Sequence, residues 1–153
     1  MYIMDSVIYE DTPRYDVYLK SMMVLPVFFI AFGIYYLIIA KVEAATSMFA
    51  TTVLMAAIYW AIFPRKYLIL DSKFKIVLGG PFSFNIPFSN LETAREPEGV
   101  TFGINFPTCF SGERAVQIIR KKGWYVNITP NDRTLFLENL NKALDDWRRY
   151  NLR

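Results

Sequence analysis

The chain has 153 residues, a net charge of +3, one cysteine and no histidine. The lone Cys109 excludes an internal disulfide. Without histidine, Ser–His–Asp and Cys–His nucleophilic arrangements and the usual single-chain zinc sites are excluded as well.

Residues 1–20 are predicted to form a cytoplasmic N-terminal segment. Thr12-Pro13 reads as a helix start, Thr12 as N-cap and Pro13 at the first helical position. Two uncharged apolar runs follow, Ser21 to Ala40 and Ala44 to Phe63. Roughly 20 helical residues at about 1.5 Å rise cross the ~30 Å hydrocarbon core, so residues 21–63 read as a two-helix transmembrane hairpin. Pro26 is expected to kink the first helix. In the second run Ser47, Ala50, Thr51, Ala57 and Ala61 place small side chains on a shared face. That face suits packing against the first helix or against another membrane protein.

The connection Lys41–Ala44 is too short to hold a domain, so both termini fall on one side. Arg14 and Lys20 before the hairpin and Arg65, Lys66, Lys73 and Lys75 after it predict that this side is the cytoplasm. Tyr15, Tyr18, Tyr59, Trp60 and Tyr67 form an aromatic belt at the same interface. A signal peptide is the rival reading of the first run, with Val42-Glu43-Ala44 as a weak cleavage-like site. The run is longer than the usual ~7–15 residues and its leader is acidic, which favours the membrane helix.

Residues 64–153 carry 14 Lys/Arg against 9 Asp/Glu. This mild excess suits anionic headgroups as well as an ordinary solvated surface. The alternation predicts strands over 66–70, 73–78, 82–88, 91–95, 101–106, 113–120 and 124–128. Asp71-Ser72, Gly79-Gly80-Pro81, Glu96-Pro97-Glu98-Gly99 and Lys121-Lys122-Gly123 are the turns, and 107–112 is a loop. Pro87 marks an edge or a strand end. Thr129-Pro130-Asn131-Asp132 then opens a helix whose apolar stripe is Phe136, Leu137, Leu140, Leu144 and Trp147. Arg148, Arg149 and Arg153 suit its C-terminal end.

Seven short antiparallel strands capped by one helix resemble the bacterial PH-like (pleckstrin-homology-like) domains. The resemblance lies in Tyr67-Leu-Ile-Leu70, Gly79-Gly80, Ile86-Pro-Phe-Ser-Asn-Leu91, Ser111-Gly-Glu-Arg-Ala-Val-Gln-Ile118 and Ile128-Thr-Pro-Asn-Asp132. It implies a membrane α-helical hairpin followed by an α+β PH-like domain, a partly open barrel or sandwich. The loop at Asp71-Ser72 lacks the spaced basic residues with which eukaryotic PH domains hold phosphoinositides.

Candidate membrane or partner contacts are Arg65, Lys66, Lys73, Lys75 and the basic turn Arg120-Lys121-Lys122. For the last, a solvated hairpin tip is the plainer reading. Cys109 reads as a buried, inert thiol rather than a reactive one. Asp145 and Asp146 point to different helix faces and do not make a catalytic pair, and Gly79-Gly80 lacks the spacing of a phosphate loop. The sequence therefore predicts no catalytic residue, metal site or cofactor, no nucleic acid and no small-molecule substrate. The expected function is a non-catalytic, membrane-anchored binding or scaffolding module working through protein–protein contacts at the inner, cytoplasmic membrane face. The expected partners are the lipid bilayer and other membrane proteins or a second copy. Two alternatives stand beside it: an accessory subunit of a larger membrane complex, contacting it through the hairpin, and a sensor of anionic lipid.

Overall fold

Five residues before the first apolar run form a strand, and that strand joins the domain after the second run. The computed structural model describes residues 6–98, 103–106 and 114–151. In chain order it has β1 (Val7–Asp11), α1 (Val17–Ile38), α2 (Val42–Ile62), β2 (Lys66–Leu70), β3 (Lys73–Val77) and β4 (Ser83–Pro87). A 3-10 turn (Phe88–Asn90) leads to β5 (Leu91–Arg95), β6 (Ile104–Asn105), β7 (Val116–Arg120), β8 (Val126–Ile128) and α3 (Arg133–Asn151). Cys109, the loop 107–112 and Arg153 lie outside the described residues.

α1 and α2 are long and apolar enough to cross a membrane, and 6% of each apolar window is buried inside the protein. A core helix of a soluble protein would be mostly buried. Val24, Leu25, Val27, Phe28, Ile30, Phe32, Ile34 and Leu37 are exposed on α1. At ~1.5–3 kcal/mol each, covering these eight is worth on the order of 12–24 kcal/mol, as much as the ~5–15 kcal/mol that holds a typical domain folded. Exposure of this face to water would therefore carry a large free-energy cost.

The first helix starts later than the Thr12-Pro13 pair predicts. Asp16 is its N-cap, accepting from the Leu19 N–H at 2.8 Å, and Pro13 instead bridges to Pro130. Two packing roles are open to the small residues of α2, and much of that face is not used in the seam with α1. Ser47, Ala50 and Ala57 are exposed, with Thr51 and Ala61 half-buried. Ala45 is buried, and Phe49 closes on Gly33 of α1 so tightly that a Cβ there would lie 2.8 Å from its ring.

Two sheets of four strands pack against each other. The first runs β1-β2-β3-β4, all antiparallel; the second runs β5-β7-β8-β6. Among the described residues each of the seven predicted strands has a counterpart, and β1 is an eighth. β6 departs from the all-antiparallel expectation, pairing parallel to β8 through Ile104↔Val126 and Asn105↔Asn127. The period-2 pattern is obeyed where it matters: Tyr67, Ile69, Phe74, Ile76, Ile86 and Phe88 are buried together with Val116, Ile118, Val126 and Ile128. Phe82 departs from the predicted alternation because β4 begins at Ser83, leaving it in the turn and 52% exposed.

α3 lies on both sheets. Phe136 is fully buried and meets Tyr67 and Phe74 edge-on at 6.1 and 5.6 Å. Asn141 acts as a substitute strand: its Oδ1 accepts from the Ala94 N–H at 3.3 Å and its Nδ2 donates to the Ala94 carbonyl at 3.1 Å. Arg148 donates to the Glu92 carbonyl at 2.5 Å. The helix thereby shields the outer edge of β5, which would otherwise offer unpaired backbone groups. Trp147 is only partly buried, against Phe88. We expect Phe136→Ala to cost about 3–5 kcal/mol and Trp147→Ala clearly less. Equilibrium unfolding of the full chain in detergent measures both; equal losses would contradict this placement of α3.

Candidate functional site

Charge, exposed apolar surface and tight packing converge where the hairpin meets the domain. β1 pairs with β2 through Tyr9↔Ile69, Glu10↔Leu68 and Asp11↔Tyr67, so the two ends of the hairpin enter one sheet. The segment after β1 is then stitched to the start of α3. The Arg14 N–H donates to the Thr129 carbonyl at 2.9 Å and the Asn131 N–H to the Thr12 carbonyl at 3.0 Å. Asp11 sits inside this clasp, 8% exposed, accepting from the Thr12 N–H at 2.7 Å and the Asp132 N–H at 3.3 Å. Asp132 in turn caps α3, accepting from the Leu135 N–H at 3.0 Å.

A second set of contacts ties the end of α2 to the sheet. The Tyr15 hydroxyl donates to the Pro64 carbonyl, and its ring meets Phe63 at 6.0 Å. The Arg65 guanidinium lies 5.9 Å from the Trp60 ring, a cation–π geometry. Trp60 packs onto the Gly79-Gly80 turn. A Cβ at Gly79 would stand 1.5 Å from the Trp60 carbonyl oxygen, so only glycine fits there.

The basic residues named as candidate contacts lie apart from one another. Arg65 and Lys66 stay at the base of the domain, Lys66 paired with Glu10 at 2.6 Å. Both partners of that pair are about half exposed, so it adds little stability. β2 leads away from α2, and the four steps from Lys66 to Leu70 at ~3.3 Å rise put Lys73, which follows the Asp71-Ser72 turn, roughly 13 Å farther out. Lys75 lies midway along β3, opposite Asn85. Lys121 and Lys122 are held by Asn90: the Lys121 N–H donates to its carbonyl at 2.8 Å and the Lys122 N–H to its Oδ1 at 2.9 Å. Arg120 turns inward, its guanidinium 5.7 Å from the Phe84 ring.

Two concave surfaces open near these elements. One, about 420 Å³, lies between β1 and α3 and is lined by Ile8, Asp71, Lys142, Asp146, Trp147 and Tyr150. The other, about 620 Å³, lies between the last turn of α2, the Gly79-Gly80 turn, β4 and β6. Among the described residues no cluster of three or more His, Cys, Asp or Glu side chains could hold a metal ion. Sequence reasoning placed Tyr15 at the interface but missed its bond to Pro64, and it missed Asp11 as a clasp residue and Phe84 as the partner of Arg120. Each signals itself only through a long-range neighbour, and the alternation Val7, Tyr9, Asp11 ends in a charge that hides its burial. No family model matches the chain, and no curated protein or solved structure matches it either.

Burial pushes the Asp11 carboxyl above the ordinary carboxylate range, and the nearby Asp132 charge adds to this, against the lowering effect of the backbone N–H groups of Thr12, Asp132 and Asn131. Burial likewise raises the Tyr15 phenol, opposed by Arg65. For Asp11 the folded state holds its proton more tightly than the unfolded chain, whose pKa is ~3.9. Its contribution is then full below that pH and is lost as pH rises through the raised folded value. The stability of the wild type minus that of Asp11→Asn should fall as pH climbs above about 4, then level off; a difference that grows over this window would refute the assignment. Gly79→Ala should cost about 1–3 kcal/mol by overpacking. Adding Trp60→Ala should not restore it, because the obstacle is the backbone carbonyl. Thermal melts of the single and double variants test both statements.

Proposed function

We propose that the chain is a non-catalytic, membrane-anchored binding module in which the hairpin spans the inner membrane and holds a PH-like domain rigidly at its cytoplasmic face. The observation that carries this reading is the β1–β2 pairing across the hairpin. An anchor on a flexible tether needs no such strand, whereas a module presented in fixed orientation to a neighbour does. Removal of the first apolar run as a leader would also remove a strand of the sheet, which weighs against a signal peptide.

The PH-like reading is supported by the consecutive order β2-β3-β4, the second sheet and the C-terminal helix across both. β1 and the parallel strand β6 are additions to the expected pattern. The cytoplasmic side follows from Arg14, Lys20, Arg65 and Lys66 flanking the hairpin, with Lys41 alone in its turn.

The docking surface is the groove between β1 and α3. β1 is the outermost strand of its sheet, with Val7 and Ile8 exposed. Tyr150 stands 85% exposed on the facing helix. An extended segment of another protein can add to such an edge through main-chain hydrogen bonds while its side chains meet Trp147 and Tyr150. The second reading, an accessory subunit bound through its hairpin, is favoured by one observation: Ser47, Ala50 and Ala57 face away from α1 and leave a small-residue face open.

Purification of the full chain from native membranes in mild detergent separates the two. If docking is through the groove, Ile8→Lys with Tyr150→Ala should remove the co-purifying protein by tenfold or more, and Ala50→Leu with Ala57→Leu should leave it bound. The reverse pattern would replace the docking reading with the accessory-subunit one.

A further inference from the structure

The groove at the base of the domain has a lining that protein docking does not use. Ala61 and Ile62 of α2, Leu78 and Phe82 flanking the glycine turn, Phe84 of β4 and Phe106 after β6 form its walls. Its volume of about 620 Å³ lies within the ~300–1,000 Å³ of small-ligand clefts. Phe84 and Phe106 meet at 5.8 Å and form an aromatic floor. The described polar side chains at its walls are Ser83 and Asn105.

Above Phe84 stands the Arg120 guanidinium. Its Nη1 makes a long contact of 3.5 Å to the Trp124 carbonyl, and its Nε is buried with no hydrogen-bond partner. Among the described residues no carboxylate pairs with it. The cleft thus begins at the last turn of α2, and Arg120, not itself one of its walls, stands against Phe84, which is one. A peptide laid there would leave most of its own amides unmatched, a cost of roughly 1–3 kcal/mol for each one buried. A hydrocarbon chain has none to match, and a phosphate complements the guanidinium.

We propose that this groove holds an acyl chain of an anionic bilayer phospholipid, with the phosphate against Arg120. The proposal rests on the hairpin spanning the bilayer. The lipid enters sideways from the leaflet along the end of α2, and Trp60, Phe82 and Arg65 mark the depth of the interface there.

The test uses the full chain in nanodiscs containing phosphatidylglycerol with a photoactivatable diazirine near the end of one acyl chain, read by peptide mass spectrometry. Labelling is expected on α1 around Phe28–Phe32 and also on Phe82, Phe84 or Phe106. Ala61→Phe, which fills the groove, should cut labelling of the β-strand residues at least fivefold and leave α1 unchanged. If that variant does not fold, Ser83→Trp at the rim serves the same purpose. Arg120→Gln should abolish the preference for phosphatidylglycerol over the same probe on phosphatidylcholine. Labelling confined to α1 and α2 would overturn the lipid site while leaving the membrane hairpin intact. No labelling anywhere would overturn the hairpin itself. Groove labelling that survives the filling variant, or shows no headgroup preference, would also overturn the assignment.

Discussion

The pairing of β1 with β2 is the constraint on which the remaining geometry depends. These strands lie on opposite sides of two helices of 22 and 21 residues, and they exchange backbone hydrogen bonds only if the helices return to the same level. Once they do, the feet of the hairpin are fixed relative to the sheet. The clasp of residues 11–14 on 129–132 extends that constraint to α3, because Asp11 accepts from the N–H of the residue that caps the helix. One carboxylate thereby links a strand edge, the approach to the first apolar helix and the start of the helix that covers the core.

Its burial has a cost that explains its raised pKa. A desolvated carboxylate is tolerated where backbone N–H groups point at it, and two do so here. A neutral acceptor would make similar bonds without the desolvation penalty, so Asp11 contributes geometry more than net stability. The tighter contact at Gly79 belongs to the same junction. There the Trp60 backbone approaches a residue with no Cβ, and the end of α2 lies flush against the turn before β4.

The strands, the terminal helix and the two membrane-length helices were legible in the sequence because each depends on a local period. Phe74-Lys-Ile and the stripe Phe136, Leu140, Leu144 need no long-range information. What was not legible depends on partners distant in the chain. Val7–Asp11 is acidic and lies beside Thr12-Pro13, a strong helix-start signal, and only the free edge of β2 makes it a strand. The small residues of α2 illustrate a different failure. Their spacing defined a face, but the seam with α1 is set by the bulk of Phe49 closing on Gly33, so much of the small face turned outward. The basic residues were legible as charges and illegible as a surface, because a strand of five residues carries Lys73 away from Lys66.

That dispersal bears on how the molecule recognises anything. Within about 8–10 Å, the Debye length near physiological salt, cations reinforce one another; beyond it they act singly. Lys66 is paired with Glu10 and Lys73 is roughly 13 Å up the strand, so these two do not add to a common field. Arg120 is different in kind. Its guanidinium lies 5.7 Å from the Phe84 ring and its Nε is buried, so its charge interacts more strongly there than one on an open surface. The modest positive charge of the chain is therefore dispersed, and the proposed recognition rests on Arg120 and the shape of the apolar groove rather than on that sum.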